Sequence, residues 1–160
     1  VSLGDAGAGF VAAIGYTDVD FTLGAPEGTN REEMVAIVGS NAAGYNLGVF
    51  GLDSDGCAFE FDNGTAGEPY IIPVHNAAAS LSGMMCDGGM GSRFVVRLEA
   101  STADGTNWTT QDIRVERADE NSLVDNPPIP GMLTTADAAL AAYGQAECDG
   151  ELLVGGGADY

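Results

Sequence analysis

The chain predicts a mainly β fold: an antiparallel β-sandwich or barrel, of jelly-roll or immunoglobulin-like kind, with one short C-terminal helix. Three observations predict it. Short apolar segments alternate with polar residues at a period of two, clusters of Gly, Asp and Asn break them, and only one late stretch has helical spacing. A length of 160 residues suits a single domain, 1–160, with a real core. A hydrophobic content of 45% separates the chain from disordered acidic tails.

Residues 1–16 carry the Gly-rich GDAGAG and the apolar GFVAAIGY, and residues 151–160 carry ELLVGGGADY. Both are read as segments that engage neighbouring subunits, because an exposed apolar strand invites another backbone. The competing reading makes them ordinary strands of their own chain. The chain starts at Val1 with no basic or apolar leader, as expected of a mature protein whose signal peptide is gone.

In DVDFTL, Val19, Phe21 and Leu23 share one face, and Asp18 and Asp20 the other. EEMVAIVGS is a continuous apolar run, which predicts a strand covered on both faces. PYIIPVHN has Pro69 and Pro73, which predicts an edge strand or a bulge. In FGLDSDGCAFEF, Asp55-Gly56 is taken as a two-residue turn. Leu52 then faces Phe59 and Phe50 faces Phe61, on one face with Cys57. In FVVRLEASTADGTNWTTQDIRVER, Asp104-Gly105 is the turn, so Phe94 faces Val115 and Val96 faces Ile113. The other face then pairs Arg97 with Asp112 and Arg93 with Glu116.

NPPIPGM reads as a stiff linker. TTADAALAAYGQAE then predicts the helix, with Thr134 as N-cap, Asp137 at N3, and Leu140 and Tyr143 on the packing face. ELLV predicts a brief final strand.

There are 24 acidic residues against 5 cations, all Arg, for a formal net charge of −19. Most of the positive charge lies in the hairpin from 93 to 117, where the predicted cross-strand ion pairs account for it. Two readings explain the acidity: a halophilic or marine setting in which salt screens it, or an extracellular or virion surface kept soluble by it. Either excludes nucleic acid, whose phosphates need clustered cations, and docking on anionic lipid. No apolar run reaches the ~20 residues of a membrane span.

The cysteines are Cys57, Cys86 and Cys148. Cys57 alternates with Phe59 and Phe61 and is expected in the core. Cys86 and Cys148 lie in Gly- and Asp-rich contexts, so the expected disulfide is Cys86–Cys148. Asn63 in NGT and Asn107 in NWT are glycosylation candidates.

His75 is the sole histidine, which excludes multi-His metal sites and reads as structural. Asp53 and Asp55 are weak metal candidates for calcium, and Asp62 lies too far along the strand to join them. GDAGAG and GGMGS lack the lysine of a phosphate-binding loop. Met84, Met85 and Met90 are assigned to an adaptable loop, either an interaction surface or a lid. No carboxylate pair stands out for glycosidase chemistry.

These readings lead to a non-enzymatic structural subunit of an extracellular or virion-surface assembly, a filament subunit or capsid decoration protein. Its partners would be other copies of itself or other subunits. The alternatives are a secreted calcium- or carbohydrate-binding module and a small secreted hydrolase. No catalytic residue and no cofactor is assigned, calcium aside.

Overall fold

The run EEMVAIVGS is a strand and opens the first hairpin, but it is not covered on both faces, since Val38 is exposed at 46%. A computed structural model describes residues 14–17, 33–52, 55, 57–87, 94–148 and 151–155. In chain order the strands are β1 (Ile14–Thr17), β2 (Glu33–Asn41), β3 (Gly44–Leu52), β4 (Ala58–Glu60), β5 (Ile71–Ala77), β6 (Ser80–Asp87), β7 (Phe94–Thr102), β8 (Asn107–Arg117), β9 (Leu123–Asp125), β10 (Ile129–Thr134), β11 (Gln145–Cys148) and β12 (Glu151–Gly155). A 3-10 helix, Ala138–Gly144, precedes β11. The segment DVDFTL lies outside the described residues.

The sheet runs β1-β2-β3-β5-β6-β7-β8-β10 and is antiparallel along this path. It does not close, so the fold is sandwich-like and mainly β, not a barrel. β4 extends β3, β9 extends β8, and β11 pairs with β6 in parallel while carrying β12. The two segments read as strand donors thus each place a strand in their own chain's sheet: β1 on β2, and β12 on β11.

β2 and β3 pair from Met34↔Phe50 to Asn41↔Gly44, with Ala42-Ala43 at the turn. No Asp-Gly or Asn-Gly marks this turn in the sequence. Gly44 allows it: its φ is +156°, and a Cβ there would sit 2.0 Å from the Val74 carbonyl oxygen. PYIIPVHN is not an edge strand. β5 lies between β3 and β6, but its ladder to β6 begins only at His75, so at Pro73 it has one strand neighbour. A missing donor is tolerated there.

Both Asp-Gly hairpins are one residue out of the predicted register. The first pairs Phe50↔Glu60, Gly51↔Phe59 and Leu52↔Ala58. Phe59 therefore lies over Gly51, where a Cβ would meet its ring at 2.7 Å, and turns edge-on to Phe61 at 4.9 Å. Cys57 is exposed, not in the core. The second hairpin pairs Val96↔Arg114, Leu98↔Asp112 and Thr102↔Trp108. The Asp104 carboxylate holds its longer loop by accepting the Thr106 and Asn107 N–H groups, both at 2.8 Å. Arg97 is thus not opposite Asp112. Arg93 lies outside the described residues, and Glu116 is 3.5 Å from Arg114 instead.

Two apolar clusters explain why the register misled. Val35, Leu47, Val49, Phe61, Tyr70, Ile72, Val74, Met84, Val95, Val115, Leu123 and Ala146 form the main core. Leu81, Val96, Leu98, Ala100, Trp108, Leu140 and Tyr143 form a second, on the opposite face of β7. Phe94 packs on the second cluster and Val115 belongs to the first, so they point to opposite faces. Each fully buried Leu, Ile or Phe contributes about 1.5–3 kcal/mol of apolar burial. Both faces of β7 draw on that term.

The 3-10 helix covers the second face, with Leu140 and Tyr143 buried as predicted. It is shorter than predicted and starts after Asp137, which makes no side-chain cap bond to it. Thr134 is not the N-cap but the last residue of β10. NPPIPGM is not a linker, because Ile129–Thr134 pairs with β8. Met84 and Met85 belong to β6, with Met84 in the main core, rather than to a loop.

Candidate functional site

A polar grouping is built on β7. Arg97 and Glu99 are two apart on the strand and share a face, and their guanidinium and carboxylate meet at 2.7 Å. β9 crosses β8 so that Val115 is opposite Asp125, which brings Asp125 to Arg97 at 3.1 Å. Tyr70, just before β5, donates its hydroxyl to the same Asp125 carboxylate. Burial, then the bond to Asp125, pushes the Tyr70 pKa well above its ordinary value. Burial opposes the Arg97 charge, but Tyr70, Asp125 and Glu99 outweigh it and raise its pKa. Tyr70, Arg97 and Asp125 line a cleft of about 500 Å³ with Asn63, Pro69, Ile71 and Val124. Tyr70 is held as a neutral donor, and the arrangement braces three segments.

The other described arginines of the hairpin, Arg114 and Arg117, stack on rings. Arg114 lies 3.9 Å from the Phe94 centroid and Arg117 lies 4.9 Å from the Phe61 centroid. Such contacts contribute on the order of 0.5–1 kcal/mol at exposed sites. Asp112 accepts the Tyr143 hydroxyl at 2.5 Å, and burial followed by that bond raises the Tyr143 pKa.

A second polar region crosses four strands. Pairing sets His75 opposite Ser82, Ser82 opposite Glu99, and Glu99 opposite Gln111. With Ser80, Ser101 and Thr109 these side chains line a cleft of about 270 Å³. His75 Nε2 and Ser80 Oγ are 3.4 Å apart. Glu99 gives Oε1 to Arg97 at 2.7 Å rather than to the imidazole. A serine–histidine–acid relay is therefore not assembled here. The row offers hydroxyls, an amide and a carboxylate to a hydroxylated ligand.

A third cleft, of about 410 Å³, is acidic, with Asp62, Asp119, Glu120 and Ser122 on its walls. Among the described residues no set of three His, Cys, Asp or Glu side chains gathers in a metal-binding arrangement. Asp55 is exposed, and Asp53 lies outside the described residues.

Asn63 and Asn107 are both exposed. Asn107 Nδ2 donates to Asp104 at 2.8 Å, so one sequon is tied into the hairpin loop. Cys86 is disulfide-bonded. β11 pairs Ala146↔Met84 and Glu147↔Met85 in parallel, and one further step sets position 148 beside position 86. The Cys148 side chain lies outside the described residues.

The sheet edges complete the inventory. β10 ends the path and exposes Ile129 at 69% and Met132 at 77%. β1 pairs only with β2, and β12 only with β11, among the described residues. The sequence reading missed the pairing of Tyr70 with Asp125 and of Tyr143 with Asp112, since these partners lie far along the chain and leave no local pattern. It also missed β10 as an edge strand, although a proline within a strand-like run is the usual signal for one. Compared with models of protein families, with curated proteins and with solved structures, this chain matches none, so its function has to be argued from its own residues.

Proposed function

We propose that the protein is a non-enzymatic structural subunit of an extracellular or virion-surface assembly, such as a filament or a decorated capsid. Its partners are other copies of itself or other subunits. The observation that carries this reading is the open sheet, whose strands β1 and β12 each have one strand neighbour among the described residues and contain no proline. An open strand edge is a template for another chain. The Cys86 disulfide fits an oxidising compartment. The net charge of −19 keeps such a surface soluble and away from other polyanions. Electron microscopy and light scattering of the native material test the reading. Particles many times the 16.3 kDa chain mass are expected, and their loss on deletion of 151–160 with the core's circular dichroism unchanged. A native protein that stays monomeric at every concentration sinks it.

A second reading is a carbohydrate-binding module, favoured by the His75, Ser82, Glu99 and Gln111 row. Glycan-array binding lost in Glu99→Ala and Gln111→Ala would support it. A blank array would remove it.

A further inference from the structure

Strands of the path differ in what their outer edge can offer a neighbour. In an antiparallel strand, main-chain groups point alternately to one side and the other. Thr135, just past β10, donates its N–H to Thr106 O at 2.9 Å. Arg114 O on β8 accepts from Asn126 on the same side, at 2.9 Å. The main-chain groups of the even-numbered residues of β8 therefore face β10, and through the pairs Ile129↔Asp112, Gly131↔Thr110 and Leu133↔Trp108 those of the odd-numbered residues of β10 face β8. The outward-facing positions are Pro130, Met132 and Thr134.

Pro130 has no N–H to offer. The Thr134 N–H is taken by Asp137 Oδ2 at 2.6 Å, and the Thr134 hydroxyl donates to the same oxygen at 2.9 Å. Among the described residues, Met132 alone keeps an open outward donor. An incoming strand would forfeit two of the three ladder bonds that outward N–H groups of β10 could donate, and its carbonyls would meet the Asp137 carboxylate. Prolines and charges are the usual means of blunting a sheet edge.

We propose that Pro130 and Asp137 seal the β10 edge against strand addition, so that neighbouring copies join at β1 or β12. Only the second clause rests on the assembly reading. The Ile129 and Met132 side chains are thereby exposed beside a backbone that does not recruit a strand.

Amide hydrogen exchange on the unmodified protein tests this, in dilute solution and in the native particle. Thr134 is expected to exchange at least ~10-fold more slowly than Met132 in both, since Asp137 protects one and no described residue protects the other. Protection of Met132 in the particle would mean that β10 accepts a strand, and would overturn the proposal. A fast Thr134 amide would do the same. The double variant Pro130→Val, Asp137→Ala should show a weight-average mass that rises with concentration in sedimentation. A folded double variant that sediments as the parent does would also overturn it. If the parent forms no particle yet shows the expected exchange, the seal stands and the assembly reading fails.

Discussion

Arg97 on β7 and Asp125 on β9 meet at 3.1 Å, and Tyr70 closes the group by donating its hydroxyl to the same Asp125 carboxylate. The pair ties a strand of the main path to one that extends β8. Tyr70→Phe should cost about 2 kcal/mol, a hydrogen bond to a charged acceptor, and lower Tm by about 4–8 °C. Arg97→Met should cost more, about 3 kcal/mol, because it leaves two carboxylates facing a partly buried site. Equal or negligible losses in thermal melts would show that the network contributes little.

Alkaline stability follows from the same group. The Tyr70 and Tyr143 pKa values are both raised in the fold. The unfolded chain therefore ionises first, and stability is lost as pH climbs above the ordinary tyrosine value of 10.0. Denaturant midpoints measured from pH 8 to 11 should fall at the upper end, and less steeply in Tyr70→Phe.

Acid acts oppositely at the hairpin loop. The N–H of Asn107, its side-chain amide and the N–H of Thr106 hold the Asp104 carboxyl below its ordinary 3.8. Its contribution is present above that value and fades as pH falls beneath it. Asp104→Asn should be less stable than the parent at pH 6, and the gap should close toward pH 2. A gap that does not change with pH would refute the assignment.

Gly83 lies under the 3-10 helix, where a Cβ would come within 2.5 Å of the Gln145 carbonyl oxygen and 2.6 Å of that of Ala142. Backbone cannot yield as a side-chain tip does. Gly83→Ala should therefore cost about 1–3 kcal/mol and loosen Tyr143, which near-ultraviolet circular dichroism would report.

The parallel register of β11 on β6 predicts the Cys86–Cys148 linkage. A non-reduced digest should yield that peptide pair, and reduction should remove about 4 kcal/mol of stability by the chain-entropy relation. A Cys57–Cys86 peptide would overturn the pairing. The −19 charge predicts in turn a higher Tm in molar NaCl than in dilute buffer, since salt screens self-repulsion. An unchanged Tm would assign the acidity to solubility alone.

The sequence by itself determined the β class, the strand identity of the run around Val35–Val38, the two Asp-Gly loops and the packing face of Leu140 and Tyr143. These depend on periods of two or three to four residues, which neighbours in the chain impose locally. Only the tertiary structure decided the registers: both faces of β7 carry apolar clusters, so the observed pairs Val96↔Arg114, Arg97↔Ile113 and Leu98↔Asp112 do not match apolar with apolar. The Asp104 side chain, by collecting the N–H groups of Thr106 and Asn107, lengthened the loop and moved the pairing by one residue, which reverses every face. The partners of Arg97 followed from that shift and from where β9 crosses, a long-range placement that no local pattern encodes. The closed outer edge of β10 arose in the same way. Pro130 was legible as a residue without a donor, but its outward direction, and the Asp137 carboxylate on Thr134, exist only once β10 has docked on β8.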